Sequence, residues 1–275
     1  MRAWKPEVPG IHEVFHARFV DHAYPAHTHD TWTVFTVDEG SIAYDLERRH
    51  RGVERSKVTL LPPHVVHDGR PAGSAGYRKR VLYVGTEILG EHLIGPAIDE
   101  PDLVDPWLVR GFRSLHRALA DPGDALEAES SLALVAARLV DHFGQERSDE
   151  PPHDDSLAED LRDLLDTRLF VGITLAEAGW IIGASPAHLV RSFTNRFGIA
   201  PHRYVLGRRI DVARARLLEG QPPAQVATDV GFHDQAHFTR HFKRHVATTP
   251  ARYRTSAPSA SRGCDEAATV RPQTL

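Results

Sequence analysis

Two sets of side chains in this 275-residue chain have types and spacings suited to chemistry. The first is imidazole. Residues 1–155 hold 12 of the 18 histidines. His27-Thr28-His29 precedes one strand-like run, and His67 lies in Pro63-His64-Val65-Val66-His67-Asp68-Gly69 after another. On a strand His27 and His29 face the same side. With His67 across a barrel, three ring nitrogens would converge on a divalent metal such as zinc, nickel or iron. The second set is cationic and amide groups in the other half. Arg191 and Arg240 can each grip guanine O6 and N7, and Gln235 can read adenine. His188 and His237 suit a base or a phosphate, and Ser185 with the N–H groups of a helix start suits a phosphate. Arg196, Arg203, Lys243 and Arg244 suit the DNA backbone.

The elements that present this second set are repeated. Ser185–Phe193 and Asp234–Phe242 align at an offset of 49, with identities at Ala187/Ala236, His188/His237, Arg191/Arg240 and Phe193/Phe242. Pro201/Pro250, Arg203/Arg252 and Tyr204/Tyr253 continue the match. Upstream the offset is 48, pairing Gly183 with Gly231 and Gly179 with Ala227, so the second turn holds one extra residue. Each unit reads as a helix with a small residue, a turn glycine, and a second helix capped by Ser185 or Asp234. This is the logic of a duplicated helix-turn-helix. An apolar-striped helix over Pro201–Leu218 joins the units, and its length suits two major-groove segments ~34 Å apart.

These residues resemble the AraC/XylS family of bacterial transcription regulators. The likeness rests on Leu189–Phe193 with Phe197–Tyr204, and on Gly231-Phe232 through Phe242-Lys243-Arg244 with Thr249–Arg254. It implies two helix-turn-helix units joined by a long helix over about residues 160–254. It also implies double-stranded DNA as partner, a homodimer, and contact with RNA polymerase. Three residues depart from the family pattern. Ala247 stands where glycine is usual. Gly179 replaces alanine, at a helix cost of up to ~1 kcal/mol. Ala187 is small where a larger base-contacting side chain is common.

The histidine-rich half alternates like a sheet. Strands are expected over Glu13–Val20, Trp32–Val37, Ile42–Glu47, Lys57–Leu61 and Tyr77–Val84, with a turn at Asp38-Glu39-Gly40. This stretch resembles the cupin barrel, although no glutamate follows the His-x-His pair within Thr31–Val37. Three readings of the histidines stay open. They pack and hydrogen-bond. They bind an organic effector, with His29 and His67 beside Trp32, Phe35, Tyr44 and Tyr83. They hold a metal on His27, His29 and His67, the one cofactor these residues would admit. Two amphipathic helices follow, one after Asp105-Pro106 and one over about Asp124–Phe143. They can cover the barrel or pair two chains.

The composition, 41% hydrophobic and 25% charged, is that of an ordinary globular protein. One cysteine, Cys264, excludes an internal disulfide. No signal-peptide core and no apolar run of ~18 residues is present, so the cytoplasm is expected and no membrane partner. Residues 156–275 carry 16 Lys/Arg against 11 Asp/Glu, and residues 1–155 carry 17 against 26, so the net −4 combines +5 with −9. That asymmetry suits different partners for the two halves.

The expected class is α+β multidomain, with a cupin-like antiparallel barrel and a C-terminal all-α domain. The expected divisions are 1–85 for the effector-binding barrel, 86–144 for a dimerisation or packing segment, and 145–155 for a linker. The double helix-turn-helix takes 156–254 and a disordered tail 255–275. The expected function is a sequence-specific, effector-responsive transcription regulator rather than an enzyme. The alternatives are a metal-dependent cupin enzyme fused to a DNA-binding domain, or a regulator switched by a protein partner.

Overall fold

The computed structural model describes residues 1–47, 49–143 and 155–255. The expected linker and tail therefore fall outside the described residues, except for Asp155 and Thr255. By contacts the chain forms two compact units, Met1–Arg208 and Arg209–Leu275.

The first unit opens with two antiparallel sheets. One has the order β1 (Arg2–Trp4), β2 (Ile11–Phe19), β9 (Tyr77–Val84), β4 (Trp32–Gly40), β7 (Val58–Leu61), β10 (Asp102–Leu103). The other runs β3 (Tyr24–His27), β8 (His67–Pro71), β5 (Ile42–Leu46), β6 (Arg49–Val53). The alternation of Ile42, Tyr44 and Leu46 is realised as a strand buried on every second residue. β4 instead is buried throughout Trp32–Val37, because its sheet is covered on both faces. One face packs Phe35, Val37, Val81 and Tyr77 against Tyr44, Leu46 and Val53 of the second sheet. The other packs Trp32, Val34, Leu60 and Leu82 against helices. The strand also runs further than Val37. Asp38 and Glu39 remain in it, and the chain turns at Gly40, φ +72°, where a Cβ would sit 1.9 Å from the Gly76 carbonyl oxygen.

After α1 (Ile94–Asp99) come α2 (Pro106–Ala118) and α3 (Ala125–Phe143). Asp105 caps α2, accepting from the N–H groups of Trp107 at 2.8 Å and Leu108 at 3.2 Å. Both helices cover the barrel. Phe112 and Leu115 of α2 and Leu132, Val135 and Leu139 of α3 join the Trp32 core. A second stripe of α3 packs on α5 and α6 below.

The unit closes with α4 (Asp155–Thr167), α5 (Leu175–Ile182), α6 (Pro186–Phe197) and the first half of α7 (Pro201–Leu218). Leu161, Leu165, Ala178, Leu189 and Phe193 form their core. Thr174 and Glu177 cap α5 reciprocally. The chain then turns through Gly183 at φ +81°. Gly179, expected to weaken α5, is required there. A Cβ on it would lie 2.6 Å from the Ala184 carbonyl oxygen, because this turn is one residue shorter than its counterpart.

The second unit contains the rest of α7, then α8 (Pro223–Asp229), α9 (Gln235–Val246) and α10 (Pro250–Thr255). Phe238 stacks on Phe232 at 5.0 Å and on Phe242 at 5.4 Å, and Phe242 meets Tyr253 at 5.4 Å. Arg209 donates to the Gly231 carbonyl at 2.6 Å, and Arg216 pairs with Asp229 at 2.9 Å, so α7 holds the turn region from one side.

Candidate functional site

A cavity of about 90 Å³ lies between the two sheets, walled by Tyr24, Phe35, Tyr44, Tyr77 and Tyr83. His27, the last residue of β3, His29, two residues beyond that strand, and His67 also line it. Ring centroids are 4.8 Å apart for His27–His29, 4.6 Å for His27–His67 and 5.2 Å for His29–His67. One nitrogen from each lies within 4.8 Å of the others. His27 Nδ1 is 2.7 Å from the Pro25 carbonyl oxygen and His67 Nδ1 is 3.0 Å from that of Val65. A carbonyl only accepts, so Nδ1 of both rings carries a proton and Nε2 is the nitrogen left for a ligand. Burial pushes the His67 pKa down to about 4, against the Val65 hydrogen bond, and burial also lowers that of His29. Both rings are neutral at pH 7.

Three converging imidazoles are a reasonable donor set for a divalent cation, but the rest of the wall has the wrong charge for one. Asp68, the carboxylate lining the cavity, accepts from the Asp45 N–H at 2.8 Å and pairs with Arg70. Lys79 also lines it, with Nζ 4.5 Å from the Tyr24 ring centre and 5.8 Å from that of Phe35. Burial pushes its pKa down to about 8, which leaves it mostly an ammonium at pH 7. Among the described residues the Tyr77 hydroxyl and Thr33 Oγ1 are buried with no hydrogen-bond partner, and both residues line the cavity. Buried polar atoms of this kind are rare unless a ligand or water meets them.

Trp32 does not reach this cavity. It is fully buried on the opposite sheet face among the helices. Trp32 and Phe35 are an odd number of residues apart on one strand, so they cannot share a side. Tyr44 lines the cavity, but its hydroxyl donates to Asp102 at 2.9 Å, and Thr59 donates to the same oxygen at 2.7 Å.

In the helical parts, Ser185 caps α6, accepting from the His188 N–H at 3.3 Å, and Asp234 caps α9, accepting from the His237 N–H at 2.6 Å. Arg191 is half-buried on α6. Gln235, Arg240, Lys243 and Arg244 are exposed on α9, and Arg203 is exposed on α7. Arg196 is exposed and pairs with Glu159 at 3.2 Å, over the Phe197 ring. His237 departs from its expected place on the polar face. Its ring packs on Phe232 at 5.3 Å and on His241 at 4.5 Å, because residues 237 and 241 flank the Phe238–Phe242 stripe and widen it.

A family model described as an AraC-like ligand binding domain matches residues 9–136, and one described as a helix-turn-helix domain matches residues 181–256. It is a transcription regulator of the AraC/XylS family. The uncharacterised regulator YbfI of Bacillus subtilis is 25% identical over 241 residues, 83% of this chain and 86% of that one. The probable regulator LumQ of Photobacterium leiognathi is 35% identical over 82 residues, 30% of this chain and 33% of that one. Among solved structures, ToxT of Vibrio cholerae is 12% identical, covers 90% of this chain and 99% of its own, and gives a TM-score of 0.36.

As an AraC-family regulator the protein has a ligand-binding barrel and a DNA-binding helix-turn-helix. No helix among the described residues is long and apolar enough to cross a membrane. Sequence reasoning missed several residues lining the barrel cavity, among them Tyr24, Thr33, Tyr77 and Lys79. Lys79 sits in a basic run, Arg78-Lys79-Arg80, that reads as solvated. The signal was its alternation with Tyr77, Val81 and Tyr83, all on one side of β9.

Proposed function

We propose that the barrel senses a small carboxylate, and that this sets how the helix-turn-helix units engage DNA. The observation that carries the reading is the Lys79 ammonium in an aromatic cavity with two unpartnered hydroxyls, Tyr77 and Thr33. A carboxylate would take the charge of Lys79 and accept from both hydroxyls. The size narrows the class. An engineered cavity of ~150 Å³ takes benzene. About 90 Å³ therefore suits a molecule of roughly four non-hydrogen atoms, a very short acid.

The DNA-side assignments extend from the repeat. Arg191 and Arg240 read guanines, Gln235 reads adenine, and Ser185, His188, Arg203, Lys243 and Arg244 meet phosphates. Arg196 does so on leaving Glu159, and His237 orders the start of α9. The two units take successive major-groove segments. The protein works in the cytoplasm as a homodimer, with RNA polymerase as a further partner, and carries out no catalysis.

Calorimetry of the full chain with acetate, propionate, lactate and pyruvate tests the reading. One of these is expected to bind and to change affinity for operator DNA, and Lys79→Met is expected to weaken that binding at least tenfold. Equal binding by Lys79→Met, or no response to any short acid, overturns it. A second reading, a divalent metal on His27, His29 and His67, is favoured by their convergence. Stoichiometric metal in the purified protein, lost in His67→Ala, would establish that reading and open the enzyme alternative.

A further inference from the structure

The first unit holds a second opening, well apart in character from the barrel cavity. It is an open cleft of about 500 Å³, within the size range of small-molecule sites. One wall is α3 and the other is formed by the first turns of α5 and α6. The cleft exists because α3 has two stripes. Leu132, Val135 and Leu139 turn to the barrel core. The neighbouring stripe carries Glu129, Ala133, Ala136, Ala137 and Val140, and its alanines face Ala176, Pro186 and Ala187 across the gap. Short side chains on both walls leave room that larger ones would fill.

The charge in this cleft is uneven. Glu87, Glu129 and Asp141 line it, against Arg191 alone. Glu129 is the informative one. Its Oε2 accepts from the Leu175 N–H, the first residue of α5, at 2.5 Å. No cationic side chain is paired with it among the described residues. Burial pushes its carboxyl up to about 7, with the Glu177 carboxylate of α5 adding to the rise and the Leu175 hydrogen bond opposing it. The facing charged groups are Glu177 from α5, Arg191 from α6, Glu87 from the segment after β9 and Asp141 on α3 itself. A half-buried carboxylate lacking a counter-ion, on an apolar floor, is complementary to an organic cation.

We propose that this cleft is a binding site for a lipophilic monocation, an ammonium- or phosphonium-type ion bearing bulky apolar groups, with Glu129 as its counter-ion. The far wall, Ser185 to Arg191, is also the start of the first DNA-reading helix. An occupant therefore touches both the sensor helix and the DNA-reading helix, in a site separate from the barrel.

The test is calorimetry of the full chain with tetraphenylphosphonium, and with tetraphenylborate as a control of like shape and opposite charge. Saturable binding of the cation is expected, with no binding of the anion. Glu129→Gln keeps an oxygen for the Leu175 N–H and is expected to weaken the cation at least tenfold. Ala136→Trp, which fills the cleft from α3, is expected to abolish binding. Should that variant fail to fold by circular dichroism, Ala187→Trp fills it from the opposite wall. Equal binding of tetraphenylborate, an unchanged affinity in Glu129→Gln, or cation binding that survives the tryptophan overturns the proposal.

Discussion

Gly198 and Ala247 hold the same station in the two repeats and exchange places in an informative experiment. Each ends its helix in the left-handed region, at φ +73° and φ +60°. Each donates its N–H four residues back, Gly198 to Thr194 at 2.8 Å and Ala247 to Lys243 at 2.9 Å. An L-residue there carries about 1–2 kcal/mol of backbone strain. Glycine escapes that strain but loses roughly 0.4–1 kcal/mol more chain entropy on folding. The difference favours glycine by about 1 kcal/mol. Ala247→Gly should therefore stabilise the second unit by about 1 kcal/mol, and Gly198→Ala should destabilise the first by about as much. No atom lies within 4 Å of a Cβ built at Gly198, so that loss is pure backbone strain. For a chain of this size each change corresponds to about 2–4 °C in melting temperature. Hydrogen exchange resolves the two units, with slower exchange expected in α9 for Ala247→Gly and faster exchange in α6 for Gly198→Ala. Faster α9 exchange in Ala247→Gly would mean that the strain does not lie where φ places it.

Other outcomes follow from the same geometry. Gly179→Ala gains helix propensity of up to ~1 kcal/mol but brings a Cβ to 2.6 Å from a backbone carbonyl, so it should lower the melting temperature. A rise would mean that the first turn has slack. Glu129 titrates near 7 folded and near its ordinary value of 4.5 unfolded. The folded chain then holds more protons between those values, so Glu129 makes stability fall as pH rises from about 5 to 8. Denaturation at a series of pH values should show that component vanish in Glu129→Gln, and an unchanged profile would contradict it. His67 is expected to remain neutral down to about pH 4, so its imidazole resonances should not shift between pH 8 and pH 5.5. A midpoint near 6.5 would place the ring in solvent.

Much of the DNA-binding half was legible because its signals are local. A cap, a turn glycine and a small residue lie within a few positions of one another, and duplication supplied an internal check. The barrel was legible where one face is apolar and the other polar, as at Ile42–Leu46. It was not legible at Arg49–Val53 or His67–Pro71, which are polar and paired to β5 by backbone hydrogen bonds rather than by an apolar pattern. Trp32 was placed in the cavity by its chemistry, whereas strand alternation puts it on the helix side. Lys79 was hidden by its arginine neighbours. The second stripe of α3 was illegible because alanines signal neither a core nor a surface, and only the packing of α5 and α6 gives them a partner.

The most direct measurement of the central claim is selection of bound duplexes from a random DNA pool by the full chain and by Arg191→Ala and Arg240→Ala. Two preferred base clusters about 10–10.5 base pairs apart are expected, each variant relaxing its own cluster alone by ~1–3 kcal/mol. A uniform loss of affinity across all sequences in both variants would contradict it, because the arginines would then be touching phosphates only.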